Sequence, residues 1–455
     1  MKTLIAAFSV LLVIGGIATW IVAGRAPGPV IEIAESVVVG QTGEVAIAIE
    51  TPRGELKTLE IALTQNGATF PLFTLAADAA ALEHETDNRL RLVRPVGKRL
   101  YPDLKAGVAS LTVTAVRPVL FGLRESASTA MRDIEVRLTP PQVGAVSQFH
   151  YINHGGTEMV VYRVTPADAA SGVRVGEYEY PGYPATGAGV ATTDPSLHVA
   201  FFALLWDQDV DTPMTLYARD SIGNESAANF DHRVFAKSFR SSRIDVSDDF
   251  LARVVPPILQ SSPDFHVDDP SNLLAAYLRI NRDMRAENNA QIKALAVETA
   301  PRILWEGAFK QLINTAVESG FADQRTYVHN GEDIDQQVHL GFDLASTVAA
   351  PVLAANSGRV IHAGWLGIYG NCVILDHGMG LQSLYAHLSQ IEVNIGDSVT
   401  LDQRLGRSGS TGLAGGDHLH FTMLLNGNAV TPVDWWSSQW VEDRVMRKLR
   451  EAEDL

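Results

Sequence analysis

Short β-branched runs separated by Gly, Pro and Asn set the limits on what this chain can become. "VIEIAESVVVG" from Val30, "EVAIAIET" from Glu44, "LEIALTQ" from Leu59 and "ASLTVTAVRP" from Ala109 are of this kind. Val, Ile and Thr fit a pleated, half-buried surface, and Glu44–Glu50 alternates with period two. Several short strands with frequent turns predict a β-sandwich over residues 29–139. No cluster of ionisable residues there looks catalytic, so a spacer or scaffold role is expected.

"TPPQVGAV" marks a boundary at Pro140 and Pro141. A second β-rich block follows, expected over 142–239, with "EMVVYRVTP", "VRVGEYEY", "HVAFFALLW" and "MTLYARDSIGNES" as its clearest strands and turns. The last of these resembles the closing strands of bacterial immunoglobulin-like modules, which implies another sandwich. His150, His154 and His198 are scattered through this block and read as surface or turn residues.

A chain of 455 residues is too long for one core, so two to four domains are expected. Hydrophobic residues make up 46% and charged ones 19%, the balance of globular material. The formal charge of -16 argues against nucleic acid, whose phosphates demand a basic surface, and is compatible with an uncharged or mixed-charge polymer. The single cysteine, Cys372, excludes an intramolecular disulfide and a cysteine-based zinc cage.

At the N-terminus, an apolar run from about Leu4 to Gly24 lies between Lys2 and Arg25. About 20 apolar residues suffice to span a bilayer. The long apolar core, Trp20 near its far end and the poor cleavage site "IVAGRA" predict an uncleaved transmembrane anchor over 1–26. The Lys2 side is expected in the cytoplasm, with the rest of a single-pass protein on the far side of the membrane.

Helical signals begin near Arg243. In "DVSDDFLARVV", Ser247 is an N-cap followed by two acids, and Pro256 and Pro257 are expected to stop the helix. "PSNLLAAYLRINRDMRAENNAQIKALAVE" predicts a longer helix, and more helix is expected through "WEGAFKQLINTAVES". Together these form an expected helical connector over 244–325. Asn330-Gly331 in "RTYVHNGEDIDQQ" is the favoured dipeptide of a two-residue hairpin. Glycine-punctuated strands then continue to "NAVTPVDWW", predicting a last domain over 326–440 and a helical tail over 441–455.

Within that last domain, "GGDHLHF" carries His418 and His420. On a strand both point to one face, with Cα atoms roughly 7 Å apart. That spacing lets one imidazole bind a metal while the other reaches a water on it. "HLGFD" offers His339 and Asp343, again at an even offset. Two histidines and a carboxylate are a ligand set known for catalytic zinc, with a fourth position left for water. His387 in "SLYAHLS", taken alone, is a half-buried histidine ending a strand.

"HLGFD", "GRVIHAG", "YGNCVILDHGMGLQSLYAHL", "VNIGDSVTLDQRLGRSGSTGLAGGDHLHF" and "NGNAVTPVDW" occur in one order over about His339 to Trp436. This stretch resembles the catalytic domain of the M23 (LytM/lysostaphin-type) zinc metallopeptidases. The resemblance implies a glycine-rich antiparallel β fold with the metal in a groove. It also implies cleavage of peptide crosslinks in bacterial peptidoglycan. It assigns His339, Asp343 and His420 to one zinc ion, and His387 and His418 to work on water and substrate. His362 and His377 match no ligand, and His377 reads as a turn residue beside a strand. Cys372 sits where relatives vary.

The whole reads as a mainly β, multidomain protein. Its expected function is that of a membrane-anchored zinc endopeptidase with the catalytic domain in the periplasm, acting on peptidoglycan. His418 is the residue chosen to take the water's proton, and His387 to serve the oxyanion or the leaving amine. "SGSTGLAGG" would give a low rim to the cleft. The alternative is a non-catalytic envelope scaffold that recruits or activates a hydrolase. A peptidase for extracellular proteins is a third reading.

Overall fold

A computed structural model describes residues 2–23, 25–34 and 37–454, so Met1, Gly24, Glu35, Ser36 and Leu455 lie outside the described residues. The chain is mainly β and forms several sheets. It divides into two compact units, Met1–Pro140 with Asp220–Asn224, and Pro141–Arg219 with Glu225–Leu455.

The first unit begins with a helix over Lys2–Ala23. Among the described residues no helix is long and apolar enough to cross a membrane, so the anchor expected over 1–26 is not supported. Beyond this helix the strands alternate as the sequence predicts. Val45, Ile47 and Ile49 turn inward from Glu44–Glu50, and Leu59, Ile61 and Leu63 from Thr58–Gln65. These strands belong to a four-stranded and a five-stranded sheet whose inner faces share one apolar core.

In the second unit two four-stranded sheets, built between Gln142 and Asn229, are followed by helices and then by an eight-stranded sheet. One continuous core runs through both β regions, joining Met159 and Phe201 to Tyr385, Phe421 and Trp435.

The helical region departs from expectation twice. The helix capped by the Ser247 hydroxyl does not stop at Pro256 but runs over Asp248–Ser261 with both prolines inside. Leu251, Val254, Val255 and Ile258 form its buried face, and that packing outweighs the lost backbone hydrogen bonds. The next helix, Leu273–Arg279, passes through a π-helical turn at Ile280–Met284 into Arg285–Leu295.

Second, no helix forms over "WEGAFKQLINTAVES". Trp305 and Phe309 pack against Trp435 with ring centroids 5.5 and 5.6 Å away. The Phe309 and Lys310 amides bond to the carbonyls of Trp435 and Ala355, each at 2.9 Å. Backbone donors satisfied by neighbouring segments leave nothing for a helical ladder. The stretch ends as a strand, Ala316–Ser319, at the edge of the eight-stranded sheet.

Candidate metal centre

Two sheets bring the five singled-out residues together. The hairpin Asp323–His329 and Glu332–His339 turns at Asn330 and Gly331, with φ of 50° and 88°, the signs a type I′ turn requires. It delivers His339 at its end. In the large sheet, strands Phe342–Ala345 and Leu419–Leu425 are antiparallel with Asp343 directly opposite His420. His418 precedes the second strand and bridges to Gly409.

His387 needs a device of its own. Ala386, on Leu381–Leu388, lies opposite His420, so regular alternation would turn His387 to the other face. His387 adopts φ of 61°, a left-handed conformation rare for a non-glycine residue, and its ring centroid comes within 4.9 Å of His418 and 5.7 Å of His420.

The donor atoms of His339, Asp343 and His420 form a tight triangle. His339 Nε2 lies 2.9 Å from Asp343 Oδ1 and 3.0 Å from His420 Nδ1, and the third edge, His420 Nδ1 to Asp343 Oδ1, is 2.9 Å. All three side chains are buried. His418 Nε2 lies 3.4 Å from the same Asp343 oxygen.

The far nitrogen of each ring fixes its tautomer. A carbonyl oxygen only accepts, so the partner nitrogen must carry the hydrogen. His339 Nδ1 faces Gly320 O at 3.0 Å, His387 Nδ1 faces Thr411 O at 2.8 Å, and His418 Nδ1 faces Gly416 O at 2.9 Å. Thr422 Oγ1 donates to Leu340 O at 2.8 Å and so accepts from His420 Nε2 at 3.0 Å. Each imidazole therefore turns a bare nitrogen to the centre.

Three donor atoms face one another at 2.9–3.0 Å, an arrangement relieved by a shared proton or by a metal cation. The donor set suits zinc, whose tetrahedral sites have bonds of about 2.0–2.1 Å and hence ligand–ligand edges of about 3.3 Å. The hydrogen-bonded outer nitrogens are the partners that orient metal-binding histidines.

Electrostatics split the groups. Burial pushes the Asp343 carboxyl up, but while no metal is bound the surrounding His339, His418 and His420 rings can share protons with it, and their attraction overcomes burial and holds the group well below the usual range. His420 is pulled down to about 4, chiefly by burial. Burial, with the neighbouring His418 and His420, takes His387 well below its ordinary value. His418 is also opposed by burial, yet its hydrogen bond and attraction to Asp343 raise it overall.

Gly341, between His339 and Asp343, is required by close approach. A Cβ there would lie 2.5 Å from Thr422 Oγ1 and 2.6 Å from the His420 ring. At the glycine-rich rim, Gly412 has φ of 71°, and a Cβ would meet the Gly370 backbone at 2.4 Å. The rim is held from the helix side by Arg253, which donates to Gly415 O at 2.9 Å.

The five residues line a cavity of about 150 Å³ that Phe250, Tyr277 and Arg285 of the helices also line. A larger cleft of about 480 Å³ runs between Arg253, Trp365, Thr411 and Gly416, and Gly415 borders both.

Other histidines stand elsewhere. His377 is not a turn residue but lies fully buried on Asn371–Gly378, bonded at 2.7 Å to both Ser357 O and Ser383 Oγ. His150 and His198, expected at the surface, are buried too. His150 is held by Ser147 Oγ at 2.9 Å and Asp231 O at 2.8 Å. Cys372 is buried, and burial pushes its thiol up, away from a thiolate ligand.

Sequence reasoning missed Arg325, whose Nη2 donates to Asp343 Oδ2 at 2.9 Å, and Thr422. The sequence held no signal for the first: the Asn330-Gly331 turn alone would pair Asp323 with Val338, and a bulge between Tyr327 and Val328 shifts the register by one to put Asp323 opposite His339 and Arg325 two residues further on.

Residues 337–432 match the family model of Peptidase family M23. The DD-carboxypeptidase/endopeptidase Mpg of Neisseria meningitidis is 39% identical over 97 residues, 21% of this chain and 22% of that one. The peptidoglycan DD-endopeptidase ShyA of Vibrio cholerae is 37% identical over 92 residues, 20% of this chain and 21% of that one. This chain thus spans about a fifth of the length of these curated relatives. The solved catalytic domain of lysostaphin from Staphylococcus simulans is 31% identical, covering 29% of this chain and 98% of that one with a TM-score of 0.26.

Proposed function

We propose that this chain, whose residues 337–432 match the model of Peptidase family M23, is a zinc-dependent endopeptidase that hydrolyses peptide crosslinks or stem peptides of bacterial peptidoglycan. One observation carries the reading: three lone-pair donors, His339 Nε2, Asp343 Oδ1 and His420 Nδ1, converge within 3.0 Å of one another. The names of the relatives supply the substrate class.

A bound zinc supplies Lewis acidity at this point. The chain's own residues do the rest. His418 presents a bare Nε2 on the Asp343 side and takes the proton of the attacking water. His387, also bare at Nε2, becomes a donor once protonated and serves the oxyanion or the leaving amine. The intact set of five counts against the scaffold alternative, which needs none of this proton chemistry.

Such a substrate lies outside the inner membrane, so a periplasmic location belongs to the proposal. Attachment through the N-terminal helix belongs to it as well, supported by exposed apolar side chains such as Leu11, Ile14 and Val22. Carbonate extraction of membranes tests the attachment, and release of the full chain into the soluble fraction would refute it.

The activity is tested by mass spectrometry of crosslinked muropeptides incubated with the zinc-loaded full chain. New peptide termini that vanish on chelation are expected. Intact muropeptides alongside stoichiometric zinc would favour the scaffold instead.

A further inference from the structure

The two oxygens of Asp343 have different partners. Oδ1 faces His339 Nε2 and His420 Nδ1 at 2.9 Å and His418 Nε2 at 3.4 Å. Oδ2 accepts from Arg325 Nη2 at 2.9 Å. Among the described residues, Arg325 is the one Arg or Lys within ion-pair distance of this carboxylate.

Arg325 is fixed rather than floppy. Its side chain is only 19% exposed. It stands on Asp323–His329, the strand paired to the one that delivers His339. Asp323 Oδ2 lies 3.7 Å from its Nε, and that carboxylate is anchored by the Ser242 and Ser319 hydroxyls at 2.8 and 3.3 Å. A guanidinium stays charged at any working pH and offers its donors in a rigid plane.

We propose that Arg325 is a positioning residue for Asp343: it occupies Oδ2, so that Oδ1 alone is presented to the metal. This rests on the zinc reading above. A carboxylate free to turn can bring both oxygens to a cation, and the second would take the place that water and the scissile carbonyl need. Arg325 also lines the cavity beside the centre, and its proposed action is through Asp343.

The test uses the full chain, stripped of metal and titrated with zinc against a chromophoric chelator. Arg325→Ala is expected to weaken zinc binding about 10- to 100-fold, the usual effect of losing a partner that orients a ligand. Arg325→Lys keeps the charge without the fork and is expected to fall between. Cobalt substitution supplies a reading that a purely structural role would not move. Four-coordinate cobalt absorbs strongly in the visible, and Arg325→Ala is expected to lose intensity as the second oxygen enters. Wild-type affinity and spectrum in both variants would overturn the proposal. Should Arg325→Ala fail to fold by circular dichroism, Arg325→Lys decides by the same two readings. His420→Ala run in parallel separates the two levels: wild-type zinc binding in that variant would sink the metal reading itself.

Discussion

Lys448 and Glu158, 290 residues apart, form an ion pair of 2.8 Å with side chains 1% and 0% exposed. Lys448 also donates to Met159 O at 2.7 Å. The pair pins the C-terminal helix Arg447–Glu453 onto the strand Thr157–Thr165. Burial is the largest influence on both groups, pushing Glu158 up and Lys448 down. Removing Lys448 leaves the buried Glu158 carboxylate with Arg444 Nε, at 3.9 Å, as its remaining counter-charge. Lys448→Met is therefore expected to destabilise the second unit by about 3–5 kcal/mol in urea unfolding. Glu158→Gln combined with Lys448→Met should recover part of the loss. A double variant no better than the single one would mean that lost packing, not the stranded carboxylate, is responsible.

The two histidines of the His-x-His segment are expected to differ when truncated. His420→Ala should lose both zinc and hydrolysis, because its Nδ1 is one corner of the donor triangle. His418→Ala should keep zinc and lose about 10²- to 10⁴-fold in rate, the span of general acid–base catalysis. Zinc analysis beside muropeptide cleavage checks both. Wild-type cleavage by His418→Ala would remove it from the chemistry.

Gly341→Ala tests the close approach at the centre. The new methyl must displace the His420 ring or Thr422, since the site leaves it 2.5–2.6 Å. Zinc affinity is expected to fall at least about 10-fold. Competition with a chelator measures it, and unchanged affinity would mean that the strand shifts freely.

Asp434 makes stability depend on pH. It is buried, bonded to Asn153 Nδ2 at 2.9 Å, and its Oδ2 has no partner. Burial is the main cause that raises its pKa from 3.8 to about 6. A raised folded value means that the folded state holds the proton more tightly. The stability this contributes is fully present below about pH 4 and is lost as pH rises through about 6. A shift of about two units corresponds to about 3 kcal/mol. Asp434→Asn should be more stable than wild type at pH 8, with its advantage gone near pH 4. Parallel pH profiles of unfolding for the two proteins would contradict this.

Phe250 lines the cavity of about 150 Å³ at the candidate metal centre, smaller than the roughly 300–1,000 Å³ of ordinary ligand sites. Phe250→Ala should admit a stem peptide more readily and raise the rate of muropeptide cleavage. A lower or unchanged rate would mean that the ring does not stand in the substrate's way.

The sequence by itself determined the local periodicities and the chemistry-bearing residues. Alternation in Glu44–Glu50 set its inward face, and Asn330-Gly331 set a hairpin turn, because both depend on neighbours a few residues away. His339, Asp343, His418 and His420 were legible as side-chain types at spacings that suit a metal, and His387 only through the family resemblance. Tertiary structure alone decided the rest. The helix through Pro256 and Pro257, the unwound stretch at Trp305–Phe309 and the burial of His377 follow from packing against distant segments. So do the left-handed turn that aims His387, the carbonyls that fix each tautomer and the arginine that holds one oxygen of Asp343. A hydrogen bond between strands far apart in the chain has no period to read. It exists only once the sheet has set both partners side by side.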